Sequence, residues 1–162
     1  MNQKTEILSL LENNAKLSEQ EIAVQLNADP VEVANEIDSL EKQKIILGYR
    51  SIINWDLTDK DCVTAMIEVK ITPQRGQGFD RIAHRIYSFP QVKDCFLMSG
   101  GFDLMIIIEG RTLKEVAMFV SEKIAPLDSV VSTATHFLLK KFKMQGTVFE
   151  SPLTEDREAV VL

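Results

Sequence analysis

Apolar residues in the first third of the chain recur every three or four positions in three short blocks, the spacing that lines one face of an α-helix. Ile7, Leu8, Leu10 and Leu11 give the stripe of a helix over residues 3–13, which ends near Asn13-Asn14. Ser18-x-x-Glu21 is a capping box, in which each side chain satisfies an orphan backbone N–H, and it opens a second helix burying Ile22, Ala23 and Leu26. Asn27-Ala28 turns the chain. Asp29 then caps a third helix with Pro30 at its first position, where the missing N–H costs nothing, and Val33, Ile37 and Leu40 carry the stripe to about Lys44.

Beyond that point the period shortens. Residues 45–53 are β-rich and broken by Gly48, predicting a short strand that leads into an Asn54-Trp55-Asp56 link. Val63, Ala65, Ile67, Val69 and Ile71 alternate as one face of a strand. Phe79, Ile82, Ala83 and Ile86 return to helical spacing after Gly76-x-Gly78, a flexible connection without the lysine of a nucleotide loop. Two strands follow, 92–99 and 102–109, with Gly100-Gly101 as a tight connection. Thr112-x-x-Glu115 caps a helix striped by Leu113, Val116, Ala117, Val120 and Ile124, and a last strand covers about 130–142.

The order strand-helix-strand-strand-helix-strand predicts an α+β fold. Its first part is a tri-helical, winged helix-turn-helix domain over residues 1–54; a link at 55–61 leads to a ferredoxin-like βαββαβ domain over 62–144 and a tail at 145–162. Both helices of such a domain cover one sheet face and leave the other open. The third strand, Leu104-Met105-Ile106-Ile107-Ile108, is apolar on both faces, and Phe96 and Met98 add to the open side. Either an identical sheet from a second copy covers that face, giving a homodimer, or the link and the N-terminal domain fold back over it.

Charge changes the picture more than composition does. The net charge is −6, and residues 1–50 hold five Lys+Arg against nine Asp+Glu. Cys62 and Cys95 sit apart in strand-like apolar contexts, so neither a disulfide framework nor a zinc site is indicated. The sequence has no apolar run near the roughly 20 residues that span a bilayer and no signal-peptide core at its start, so a cytoplasmic protein without a membrane partner is expected.

Over some 140 residues the chain resembles the Lrp/AsnC (leucine-responsive and asparagine regulator) family of transcription factors. The resemblance is carried by Glu21-Ile22-Ala23 with Leu26; by Val33, Ile37, Leu40-Glu41 and Ile46; by Gly48-Tyr49 with Ile52-Ile53; and by Ser99-Gly100-Gly101-Phe102-Asp103, which matches a Gly-x-Tyr-Asp signature with Phe for Tyr. Val131, Thr133 and Thr135 resemble the family's final strand, which ends in lysines like Lys140 and Lys141. It implies a DNA-binding N-terminal domain, sensor domains that pair through their sheets, often a ring of dimers such as an octamer, and an amino-acid effector held near the Gly-Phe-Asp loop between dimers.

The DNA-facing positions implied are Val31, Glu32, Asn35, Glu36, Ser39, Lys42 and Arg50. Where the family usually has Arg this chain has Glu36, and Lys44 replaces a frequent Gly. Each cation on a phosphate adds affinity through counterion release, so an acidic face predicts weak, salt-sensitive binding of double-stranded DNA per protomer. Lys16 and Arg50 at the edges and the avidity of a multivalent ring work the other way. The alternative is an amino-acid-binding or assembly protein whose acidic helix-turn-helix has lost DNA.

For the effector, the Ser99–Asp103 turn offers backbone N–H groups and one carboxylate, suited to the two ends of an amino acid, and Thr133 and Thr135 add hydroxyls. A plain hairpin in which Asp103 satisfies its own turn fits equally. Catalysis is not expected and no cofactor is called for, because His84 and His136 have no Cys, Ser or Asp at metal or triad spacing.

Overall fold

Asn2 accepts a hydrogen bond from the Lys4 N–H and starts α1 (Gln3–Asn13), and α2 (Glu19–Leu26) and α3 (Pro30–Lys42) complete the first of two units. The computed structural model describes residues 2–72 and 78–149, with the units meeting in the chain at Ile53 and Asn54. The three stripes converge on one core of Ile7, Leu11, Ile22, Ala23, Val33 and Leu40, with Ile37 and Ile46 packed against it. The capping box forms as expected: Glu21 accepts from the Ser18 N–H at 2.8 Å while Ser18 Oγ accepts from the Glu21 N–H at 3.3 Å. The Ser18 N–H, and the Ser18 hydroxyl that donates to the same carboxylate oxygen at 2.8 Å, favour the ionised form and hold Glu21 below its ordinary pKa.

No strand forms between 45 and 53, which corrects the expected wing. A strand needs a neighbouring backbone, and among the described residues this unit has none to offer. Instead α3 closes on itself: Lys44 takes a left-handed conformation (φ 60°), and the Ile45 and Ile46 N–H groups donate back to the Leu40 carbonyl at 3.0 and 3.2 Å. Ile46 thereby reaches the core, while Leu47, Tyr49 and Ile52 stay exposed. The Tyr49 hydroxyl donates to Glu41 at 2.8 Å, and burial together with that carboxylate pushes it up to about 12. A left-handed non-glycine costs about 1 kcal/mol, so Lys44→Gly is expected to stabilise the chain by roughly that amount in urea unfolding. An unchanged or lower midpoint counts against this.

In the second unit, a short 3₁₀ turn at Trp55–Leu57 has the Lys60 ammonium 3.8 Å above the Trp55 ring. Then follow β1 (Val63–Ile71), α4 (Asp80–Tyr87), β2 (Val92–Leu97), β3 (Leu104–Gly110), α5 (Leu113–Phe119) and β4 (Val130–Phe137). The strands form one antiparallel sheet in the order β2-β3-β1-β4. Directly paired residues share a face, so three rows lie on one side: Leu97-Leu104-Val69-Thr133, Cys95-Ile106-Ile67-Thr135 and Val92-Ile108-Ala65-Phe137. Ile82 and Ile86 of α4, with Val116, Phe119, Val120 and Ile124, cover that side. Burial raises the pKa of the half-buried Cys95 thiol there.

Several boundaries differ from the sequence reading. Helix α5 runs into a π-helical turn at Val120–Ile124, and the buried face is Val116, Phe119, Val120 and Ile124, with Leu113 and Ala117 of the expected stripe exposed. Strand β2 ends at Leu97 and β3 starts at Leu104, so the connection is six residues, Met98 to Asp103, rather than a tight Gly100-Gly101 turn. Strand β4 stops at Phe137, opposite Ala65; the Leu138 N–H still donates to the Thr64 carbonyl at 2.9 Å, but the expected extension to 142 does not form. A small hairpin follows, β5 (Lys143–Met144) with β6 (Thr147–Val148), across the expected start of the tail. Gly76 and residues 150–162 lie outside the described residues.

Candidate functional sites

The turn between α2 and α3 is built by three residues with local reasons to be there. Asn27 ends α2 at φ 50°, a left-handed position that Asn tolerates, and its N–H donates to the carbonyls of Ala23 and Val24. Asp29 Oδ1 accepts from the Val31 N–H at 2.7 Å and sets the start of α3. With Val33, Ile37 and Leu40 turned inward, Val31, Asn35, Asp38 and Lys42 line the outer face, Glu32 and Ser39 flank it, and Glu36 is half-buried at its edge.

Two of the expected DNA-facing groups are engaged within the helix. The Lys42 ammonium is bonded to the Asp38 carboxylate one turn back, and Gln43 Nε2 donates to Ser39 Oγ at 2.7 Å. Asp38 was not among the positions read from the sequence, although its i,i+4 spacing to Lys42 was visible there. Val31 remains two-thirds exposed at the helix start, the Asn35 amide has no partner among the described residues, and Arg50 lies exposed past the helix in the segment without regular structure.

At the far end of the chain, the Ser99–Asp103 loop is held by three bonds. Met98 N–H donates to the Asp103 carbonyl at 2.8 Å, Asp103 N–H donates to the Val69 carbonyl at 3.1 Å, and Asp103 Oδ2 accepts from the Ile71 N–H at 2.7 Å. Asp103 thus does not serve its own turn; its carboxylate ties the β2–β3 loop to the end of β1, where the pairing with β4 shifts register after Lys70. Gly100 sits at φ 148°, which side chains rarely adopt. Gly101 has an ordinary φ and open space around its missing Cβ, so nothing among the described residues demands glycine there.

Thr133 and Thr135 do not join this loop within one chain. Both are half-buried on the helix-covered side, and β1 lies between them and β3, which puts two strand spacings, about 10 Å, between β4 and the loop's strand. His136 is on the opposite, open face, 3.2 Å from Glu68, and His84 packs on the Tyr87 ring at 5.1 Å. Among the described residues no buried polar or charged side chain occurs, no group of His, Cys, Asp or Glu has metal-ligand geometry, and no helix is long and apolar enough to cross a membrane.

The chain thus joins a tri-helical unit to an α+β unit, a four-stranded antiparallel sheet backed on one face by two helices. Residues 64–148 match the Lrp/AsnC ligand binding domain. The chain is 48% identical over 98% of its length to the HTH-type transcriptional regulator YugG of Bacillus subtilis (strain 168), covering 95% of that protein. It is 27% identical to the leucine-responsive regulatory protein of Haemophilus influenzae over 85% of this chain and 82% of that one. Among solved structures, the Neisseria meningitidis regulator NMB0573 in complex with L-Met superposes with a TM-score of 0.72 at 20% identity, covering 95% of this chain and 97% of that one. E. coli AsnC gives 0.68 at 20%, covering 89% and 95%. The chain belongs to the Lrp/AsnC family, whose named members here are transcription regulators rather than enzymes.

Proposed function

We propose that the chain is a DNA-binding transcription regulator that acts in the cytoplasm as a dimer or a ring of dimers and responds to an amino acid. The observation that carries this is the joining, in one chain, of a capped α2–turn–α3 pair to the matched ligand-binding domain, in a sequence nearly half identical end to end to an HTH-type regulator. In this reading α2 and α3 are the helix-turn-helix, and the outer face of α3 enters the major groove. The open sheet face carries pairing: its rows are Phe96-Met105-Glu68-Ala134 and Asp94-Ile107-Met66-His136, with four large apolar side chains around the centre. The effector lies against the Ser99–Asp103 loop, with its carboxylate on the backbone N–H groups that Gly100 and Gly101 leave uncovered. The L-Met complex of the Neisseria regulator supports an amino acid as the ligand class.

Electrophoretic shift of the chain's own upstream region, titrated at low and high salt with and without each amino acid, tests the whole reading. A shift that weakens with salt and changes with one amino acid is expected; no shift at low salt by an intact oligomer sinks the DNA claim. Gly101→Ala separates ligand from scaffold. The melting temperature is expected to stay within about 2 °C of the parent, because a Cβ meets nothing in the chain, while calorimetric amino-acid binding falls at least tenfold. Equal affinity in both proteins removes the loop from the site.

A second reading is favoured by one feature. The carboxylates of Asp29, Glu32, Glu36, Asp38 and Glu41 along α3 suit a unit that has given up DNA and serves assembly or amino-acid binding alone. The same shift assay decides between them.

A further inference from the structure

We infer that α3 reads A·T base pairs, through the methyl groups of Val31 against thymine and the amide of Asn35 against adenine, and makes no guanine contact. The inference rests on the DNA-binding reading above and specifies its target.

In a helix-turn-helix, residues near the start of the second helix meet base edges. Here the first outward side chain of α3 is Val31, two-thirds exposed, and the next on the same line, one turn later, is Asn35. An exposed valine at a helix start gains nothing from water. In the major groove its methyl groups have one apolar counterpart, the thymine C5-methyl. Among the described residues Asn35 has no side-chain partner, and its donor and acceptor suit the N6 and N7 edge of adenine, which an amide matches with two hydrogen bonds. Four residues along a helix span about 6 Å, so the two contacts fall within about two base-pair steps of each other in one site.

Guanine recognition needs a cation aimed at O6 and N7. Helix α3 contains no arginine, and its one lysine, Lys42, lies in the last turn and is bonded to Asp38. Glu32 is the competing reader on this face, since a carboxylate accepts from cytosine N4. The two residues therefore make opposite demands on base composition.

The test uses the full-length protein and duplexes selected from a random-sequence library at low salt. Enriched duplexes are expected to share A·T pairs at the contacted positions. Replacing thymine by deoxyuridine, which removes only the methyl group, is expected to weaken binding about threefold to tenfold at one position per half-site. It leaves Val31→Ser, which has no methyl group and is already weakened, unaffected. Replacing adenine by 7-deazaadenine is expected to cost the parent about tenfold and Asn35→Ala nothing further. Equal binding of thymine and uracil duplexes, or enrichment of G·C pairs that is lost in Glu32→Gln, overturns the inference while leaving DNA binding intact. Failure to retain any duplex overturns the DNA-binding reading itself.

Discussion

Ile107→Asp is expected to convert the assembled protein into folded monomers. Ile107 is half-buried in the single chain, between Asp94 and Met66 in the middle of the open sheet face, on the side away from the helices. In a two-fold pairing of sheets, each copy contributes its own residue to the same interface, so one substitution places two carboxylates there. Leaving a buried charge uncompensated costs about 3 kcal/mol or more, and twice that weakens pairing by about four orders of magnitude. Within the chain the substitution is mild, because the side chain points away from the core rows of Leu104, Ile106 and Ile108. Sedimentation velocity at micromolar concentration reads the mass, and far-UV circular dichroism reads the fold. A variant that keeps the parent's mass refutes pairing through this face, and Ile107→Val, which keeps the surface apolar, is expected to keep the parent's mass.

The second large effect is expected on α3, from Asp38→Asn. The Asp38–Lys42 pair is exposed, with side chains 59% and 74% accessible, so its loss costs the helix no more than about 0.5 kcal/mol. Its effect on DNA is larger in proportion. The substitution removes a carboxylate from the outer face and frees a lysine that it had neutralised, and each new phosphate contact steepens the dependence of log K on log salt by about 0.9. With two α3 helices acting in the proposed dimer, the slope is expected to steepen by nearly 2 and low-salt affinity to rise about 10-fold to 100-fold. Fluorescence anisotropy with a labelled duplex at several salt concentrations measures both. An unchanged slope means that Lys42 does not reach phosphate, and the α3 face then has to be placed differently.

These two residues show how unevenly the sequence disclosed the sites. Ile107 was legible as part of a strand apolar on both sides, because alternation with period two fails visibly there. Asp38 was not read as important, although the i,i+4 spacing to Lys42 was in plain view, because a cation counted from sequence carries no record of its partner. Asp103 stands out in the sequence as the one carboxylate of the glycine turn. Its partner, the Ile71 N–H 32 residues earlier in the chain, followed from no local pattern. Thr133 and Thr135 were grouped with the loop, and only register shows that they lie across β1 from it on the covered side.

By itself the sequence determined the three N-terminal helices with their caps, the strand and helix order of the second unit, the apolar stripes and the family, all consequences of spacing and short-range bonding. Tertiary structure alone decided the rest. Residues 45–53 have strand composition but, among the described residues, no neighbouring strand to bond, and α5 buries Phe119 rather than Leu113 and Ala117. In each case the outcome depends on whether a backbone or side chain distant in sequence arrives to complete a bond or fill a space, and no local pattern records that arrival.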